Sequence, residues 1–386
     1  MAGPDGTLAA VISASAHPSW DRFAHWSTLP ARLLLAALVA VLIASALVPI
    51  NAGRSTVKTT NFVEVLVNSN AAALNRKRDE DLALYDRAIE RIGRGENYYQ
   101  FIVAEHRLAH YPVKPGLAVR LPTLAYLDAW LGIPGQYVAA IALLIAVLLV
   151  WWRRLASEPG GPRRRLLAMA LLALGASLGL NRHFFVLHEL WAGMLLVLSF
   201  GLHRVRTGDA PGRWGWSLAV AALALAIREL ALPFVLLMAA MAFWRGERRE
   251  GLAWTGLAVA FIALLAFHLD IISAQTLASD PLSVSWLEMR GLSGWLSNVA
   301  LTSNVRSLPH WLAGPLVMLA MFGWASWRSA AGAFATLLYL GYGLAFMIAG
   351  RGDNYYWGFM VAPAMFIGLA FVPMGLKSLW RAAYAR

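Results

Sequence analysis

Ten apolar runs recur along this chain, and clusters of Arg fill several of the short stretches between them. The runs fall at 31–50, 135–152, 164–181, 184–203, 214–228, 229–244, 251–270, 311–327, 330–349 and 357–376. A hydrocarbon layer of about 30 Å is crossed by about 20 apolar residues in an α-helix. In such a layer every backbone N–H and C=O must be satisfied within the segment, which leaves helices as the solution for runs of this length. Composition agrees: 59% of residues are hydrophobic and only 14% charged, whereas soluble domains carry about 25% charged residues. The same numbers exclude intrinsic disorder, whose signature is low hydrophobicity. With no Cys in the chain, disulfides, zinc thiolates and thiol nucleophiles are excluded. The expectation is an all-α polytopic membrane bundle of about ten spans.

The net charge of +12 would suggest nucleic acid in a soluble protein. Here the Arg residues sit in short loops, where they set topology, and no nucleic-acid partner is expected. Arg153, Arg154, Arg163, Arg164 and Arg165 form one cluster, Arg204, Arg206 and Arg213 a second, and Arg245, Arg248 and Arg249 a third; Lys377, Arg381 and Arg386 close the chain. Placing all of them in the cytoplasm predicts that both termini are inside. Residues 1–29 then form a cytoplasmic tail, 30–50 the first span, 51–133 a large extracytoplasmic loop and 134–386 the remaining bundle. Residues 116–132 are apolar, but they carry Arg120, Pro122 and Asp128, and a crossing there would reverse the Arg clusters. An interfacial helix satisfies both constraints. The pair 214–228 and 229–244 reads as a short hairpin turning at Arg228-Glu229 on the outer side, and 271–309 as another outer-surface helix.

Inside the large loop, apolar residues at 82, 85, 88, 89 and 92 trace a helical stripe. Asp79, Glu80 and Asp81 open that helix, where free N–H groups and the dipole favour carboxylates. Asp81 and Tyr85 are spaced to share a face, and Gly93 and Gly95 end the helix. The loop is thus expected to form amphipathic helices on the membrane surface. Arg228 and Glu229 interrupt an apolar stretch and must face a cavity or each other. His188-Glu189 near the start of another run reads as an interhelical hydrogen-bonding pair. His106 and His110 are spaced for a shared metal, but no third ligand is spaced nearby, so no metal site is expected.

The stretch Asp81 to Tyr99, an acid followed by Tyr85, small residues, glycines and Tyr98, resembles the first-loop pattern of GT-C glycosyltransferases. These are integral membrane enzymes that use polyprenyl-phosphate sugars. The segment from His110 through Lys114 to Pro115 is similar to the family's Pro-rich approach to a juxtamembrane helix, and Arg228-Glu229 to its Arg-Glu element. Asn354-Tyr355-Tyr356 through Pro363 resembles the aromatic-then-Pro pattern before the last spans; Asn354 stands where relatives often carry Arg, with Arg351 just upstream.

The resemblance implies a GT-C-like fold and transfer of a sugar from a polyprenyl-phosphate donor to an acceptor hydroxyl on a glycan, lipid or protein, outside a bacterial cytoplasmic membrane. It implies Asp81 as the base, with Glu80 as the alternative, and Tyr85, Lys114, Arg228, Glu229, Arg351 and Tyr355 as substrate-binding residues, with no cofactor. The chemistry suits these residue types. A phosphate leaves as a stable anion and needs positive charge rather than a proton donor, so one carboxylate base suffices, where glycosidases use two carboxyl groups. Three other functions compete. A lipid or lipid-linked-sugar transporter would favour paired inverted halves and ionisable groups at mid-span. A ligase- or polymerase-like enzyme would carry its main outer loop in the C-terminal half. A non-catalytic subunit of an envelope-glycan assembly complex is the third.

Overall fold

The computed structural model describes residues 21–51, 80–156, 161–206 and 211–384, with the side chains of Glu80 and Asp81 outside the described set. Regular structure among these residues is helical, and the few bridge pairings are isolated. In chain order the α-helices are α1 (Thr28–Leu47), α2 (Glu80–Gly93), α3 (Tyr98–Leu108), α4 (Thr123–Ala156), α5 (Gly161–Ala176), α6 (His188–Leu202), α7 (Gly215–Ile227), α8 (Leu232–Trp244), α9 (Arg248–Ala274), α10 (Gly291–Leu301), α11 (His310–Ser326), α12 (Ala330–Ile348), α13 (Ala362–Met365) and α14 (Val372–Tyr384).

Among the described residues, five helical stretches are long and apolar enough to cross a membrane: Thr28–Leu47, Gly116–Ala156, Arg248–Ala274, Ala330–Ile348 and Ala362–Tyr384. The other five apolar runs fold as shorter helices: α5, α6, α7, α8 and α11 have 16, 15, 13, 13 and 17 residues. The reasons are local. At Arg228 the backbone turns extended, closing α7, and Pro233 opens α8, where a missing N–H costs nothing. α5 tightens into a 3₁₀ turn at Ser177–Leu180. The last apolar run is a mixture of 3₁₀ and α segments from Gly352 to Phe371 that is buried for most of its length.

α6 is buried on all sides from His188 to Gly201, with Leu198 alone partly exposed, the mark of a central helix. Its Gly193 packs directly on the Phe359 carbonyl, and Gly323 of α11 on the Gly368 carbonyl. A Cβ at either point would collide with backbone, so small residues set these close approaches. By contrast α1, α4 and α9 present rows of exposed Leu, Ile, Val and Phe, a surface that suits lipid. At one end of the bundle, Arg154 donates to the Phe200 and His203 carbonyls and His203 contacts Glu250 at 2.8 Å. The polar cluster described below occupies the other end of α4 and α6.

Two expectations change. Residues 123–131 do form a helix, as an interfacial element would, but it is joined to the following span across a kink. Gly132 adopts φ 59, ψ 178, and Pro134, lacking an N–H, breaks the ladder there; the Gln136 side chain donates to the stranded Asp128 carbonyl at 3.2 Å. Within 271–309, α10 is not a surface helix. Residues Gly294–Ala300 are buried, because α10 packs against α12 and the 3₁₀ helix Gly352–Met360.

Candidate functional site: a polar chamber beneath the loop helices

The apolar stripe of α2 lies on the bundle: Leu82 and Ala88 are buried, and Tyr85 and Ile89 pack against the core. α3 covers α2's flank. Glu105 of α3, itself buried, receives Arg87 at 3.1 Å and Arg91 at 2.8 Å, and Arg91 also stacks over Phe101. α3 is tied in turn to the C-terminal end of α9. The Tyr99 hydroxyl lies 3.0 Å from His268 Nδ1, and His268 Nε2 lies 3.1 Å from the Val119 carbonyl. The two loop helices are therefore clamped onto α4 and α9.

Beneath them lies a narrow cavity of about 10 Å³, lined in part by Tyr85, Arg120, Asp128 and His188. Its free space has room for about one water molecule. Arg120 donates from Nε to the Tyr85 hydroxyl at 3.2 Å, and the Tyr98 hydroxyl donates to the Arg120 carbonyl at 2.7 Å. Among the described residues Arg120 has no carboxylate within 4 Å, although Glu189, Glu229 and Tyr356 lie within its electrostatic reach. His188 stacks edge-on against Tyr85 at 5.4 Å, and its Nε2 has no hydrogen-bond partner.

Next to the cavity sits a buried trio. Arg228 Nε lies 2.7 Å from Glu189 Oε1, close enough for an ion pair although the N–H is not aligned on the oxygen; Arg228 Nη1 is paired with Glu229. Arg228 and Glu189 are each 1% exposed. The trio staples α6 to the α7–α8 break. The trio sets two carboxylates against one guanidinium, so its excess negative charge acts on Arg120 from a distance, and Arg120 itself makes no direct ion pair among the described residues.

The sequence candidates divide accordingly. Tyr85, Arg228 and Glu229 meet around this chamber. Asp81 lies one helical turn before Tyr85 on α2 and Glu80 begins the helix, their side chains outside the described set. Lys114 lies elsewhere on the loop, where its Nζ donates to the Ala278 carbonyl at 3.1 Å and its backbone pairs with residue 282. Arg351 is bound to Asp353 at 3.2 Å and to the Val284 carbonyl at 3.2 Å. The segment 278–290 thus links Lys114 to the Arg351 end, with Arg107 and Asp280 anchoring it at 2.8 Å. That contact holds the Asp280 carboxyl well below the usual carboxylate range. Tyr355 packs 6.1 Å from Tyr356, whose hydroxyl accepts from Asn354 at 3.1 Å.

His106 and His110 do not form a metal pair. His106 is buried, with Nδ1 3.1 Å from the Pro112 carbonyl, and burial lowers its pKa to about 4. Among the described residues no three His, Asp or Glu converge as a metal site.

Sequence reasoning used Arg120 and Asp128 only as arguments against a crossing at 116–132. Their lining of the chamber depends on the Gly132 kink, which has no charge signature. No family model, curated protein or solved structure matches this chain.

Proposed function

We propose that this protein is a membrane glycosyltransferase that moves a sugar from a polyprenyl-phosphate donor to an acceptor hydroxyl on the outer face of a bacterial cytoplasmic membrane. The observation that carries this reading is Arg120. It is a guanidinium without an ion pair, roofed by an amphipathic helix, at the end of the bundle where a lipid-borne phosphate would arrive. A cation in such a place faces either a partner or a cavity, and Arg120 lines the cavity while making no direct ion pair among the described residues. In this reading the bundle crosses about ten times in a GT-C-like arrangement, with the Arg-rich loops and both termini inside. The glycan, lipid or protein acceptor approaches from outside.

The reaction uses one base. A carboxylate on α2, Asp81 or its neighbour Glu80, takes the proton from the acceptor hydroxyl. The acceptor oxygen bonds to the sugar's anomeric carbon as the bond from that carbon to the phosphate oxygen breaks. The bonding pair leaves on the polyprenyl phosphate, where Arg120 stabilises the developing charge. The Arg228–Glu189–Glu229 trio holds the helix ends that frame the site, and Lys114 and Arg351 lie apart from the chamber along the segment 278–290.

The assay is transfer from a panel of polyprenyl-phosphate sugars in vesicles. Asp81→Asn preserves size and capping ability, so the protein should fold while transfer slows by about 10²–10⁴-fold. Loss in Glu80→Gln alone moves the base by one residue, and loss in Lys114→Ala with an active Arg120→Met moves the phosphate contact to Lys114. Full activity in all four variants sinks the assignment.

A further inference from the structure

We infer that Asp128 is a specificity-determining residue that accepts hydrogen bonds from the hydroxyls of a glycosyl phosphate whose phosphate rests on Arg120; this rests on the glycosyltransferase reading above. Asp128 is 1% exposed, and neither of its carboxylate oxygens has a hydrogen-bond partner. An isolated buried carboxylate is among the most unfavourable groups a protein can hold.

The fold does nothing to relieve it. The nearby Gln136 amide is spent on the Asp128 backbone carbonyl, and the neighbouring titratable group, Asp86 of α2, has the same charge. Arg120, the cation that lines the same cavity, donates to Tyr85 instead and forms no ion pair with Asp128. An acceptor and a cation thus face one cavity without meeting, and an unpartnered His188 Nε2 lies between the same walls.

The ligand that completes this set carries hydroxyl donors at one end and an anion at the other, which is the chemistry of a sugar joined to phosphate. The cavity now has room for about one water, so a sugar is admitted only when the phosphate takes the guanidinium from the Tyr85 hydroxyl and α2 gives up part of its packing on the cavity. A group retained for a ligand against its own cost leaves a signature in the ligand-free protein, and that signature separates it from a residue retained for folding.

Asp128→Asn and Asp128→Ser are purified in detergent beside the wild type and Arg120→Met. The probes are farnesyl phosphate and a panel of farnesyl phosphoryl hexoses and pentoses, read by calorimetry and by Tm. The wild type is expected to bind at least one glycosylated probe more tightly than farnesyl phosphate. Both Asp128 variants should show an equal or higher ligand-free Tm, unchanged or tighter binding of farnesyl phosphate, and about tenfold weaker binding of the preferred glycosylated probe, since a hydrogen bond to a charged group is lost. Arg120→Met should weaken both kinds of probe.

A lower ligand-free Tm in the Asp128 variants would assign the carboxylate to folding and overturn the proposal. Undiminished affinity for the glycosylated probe would overturn it too, while leaving the glycosyltransferase reading in place. If the wild type binds no probe at all, that reading fails and the sugar subsite fails with it.

Discussion

Replacing Arg228 tests the architecture of the chamber most directly. Arg228→Met keeps most of the side-chain volume and removes the charge. Glu189 would then be left 1% exposed without its paired cation, and breaking a buried pair from one side costs about 3–5 kcal/mol. Glu229 is different. Its side chain is 21% exposed, so water solvates part of what Arg228 gives up, and Glu229→Gln should cost about 1 kcal/mol. The double variant Arg228→Met, Glu189→Gln removes the charge from both sides. It should recover much of the loss, because a buried ion pair is often matched by neutral packing of similar volume. Unfolding in mixed micelles, followed by fluorescence of the 17 Trp residues, gives the three free energies. If Arg228→Met unfolds within about 1 kcal/mol of wild type, or if the double variant is no more stable than Arg228→Met alone, the trio is not the staple described.

Acid should loosen the loop helices. Burial lowers the His106 pKa to about 4 from its ordinary 6.5, so the folded chain holds it neutral while the unfolded chain protonates it. Its contribution is intact above pH 6.5 and is lost as pH falls towards 4, by about 3 kcal/mol in all; melting curves across that range should flatten in His106→Asn. Topology is open to labelling because the chain has no native Cys. Cys introduced at 163 should react only from the cytoplasmic side and Cys at 97 only from outside, and the reverse pattern would invert the bundle.

The chain's apolar periodicity was sufficient to read the all-helical membrane class, because in hydrocarbon the backbone has one local way to satisfy itself. The apolar stripe of α2, from Leu82 to Ile92, and the break at Arg228-Glu229 were legible for the same reason: both depend on spacing within a few residues, and the structure bears out both. The pairing of Arg228 with Glu229 was visible from adjacency, but its second partner Glu189 is 39 residues away on α6. Nothing local announces such a contact. Helix length was also a tertiary matter. Apolar runs that look long enough to span are shortened at Ser177 and at Arg228 by turns that packing permits.

Asp128 and Arg120 show the limit most clearly. In sequence they are two charges in a doubtful apolar segment. Only the kink at Gly132 and the seating of α2 turn both towards one cavity, and only there does an acceptor without a donor become visible. A residue's type fixes which bonds it can make, whereas whether a partner stands within reach is decided by elements far apart in the chain.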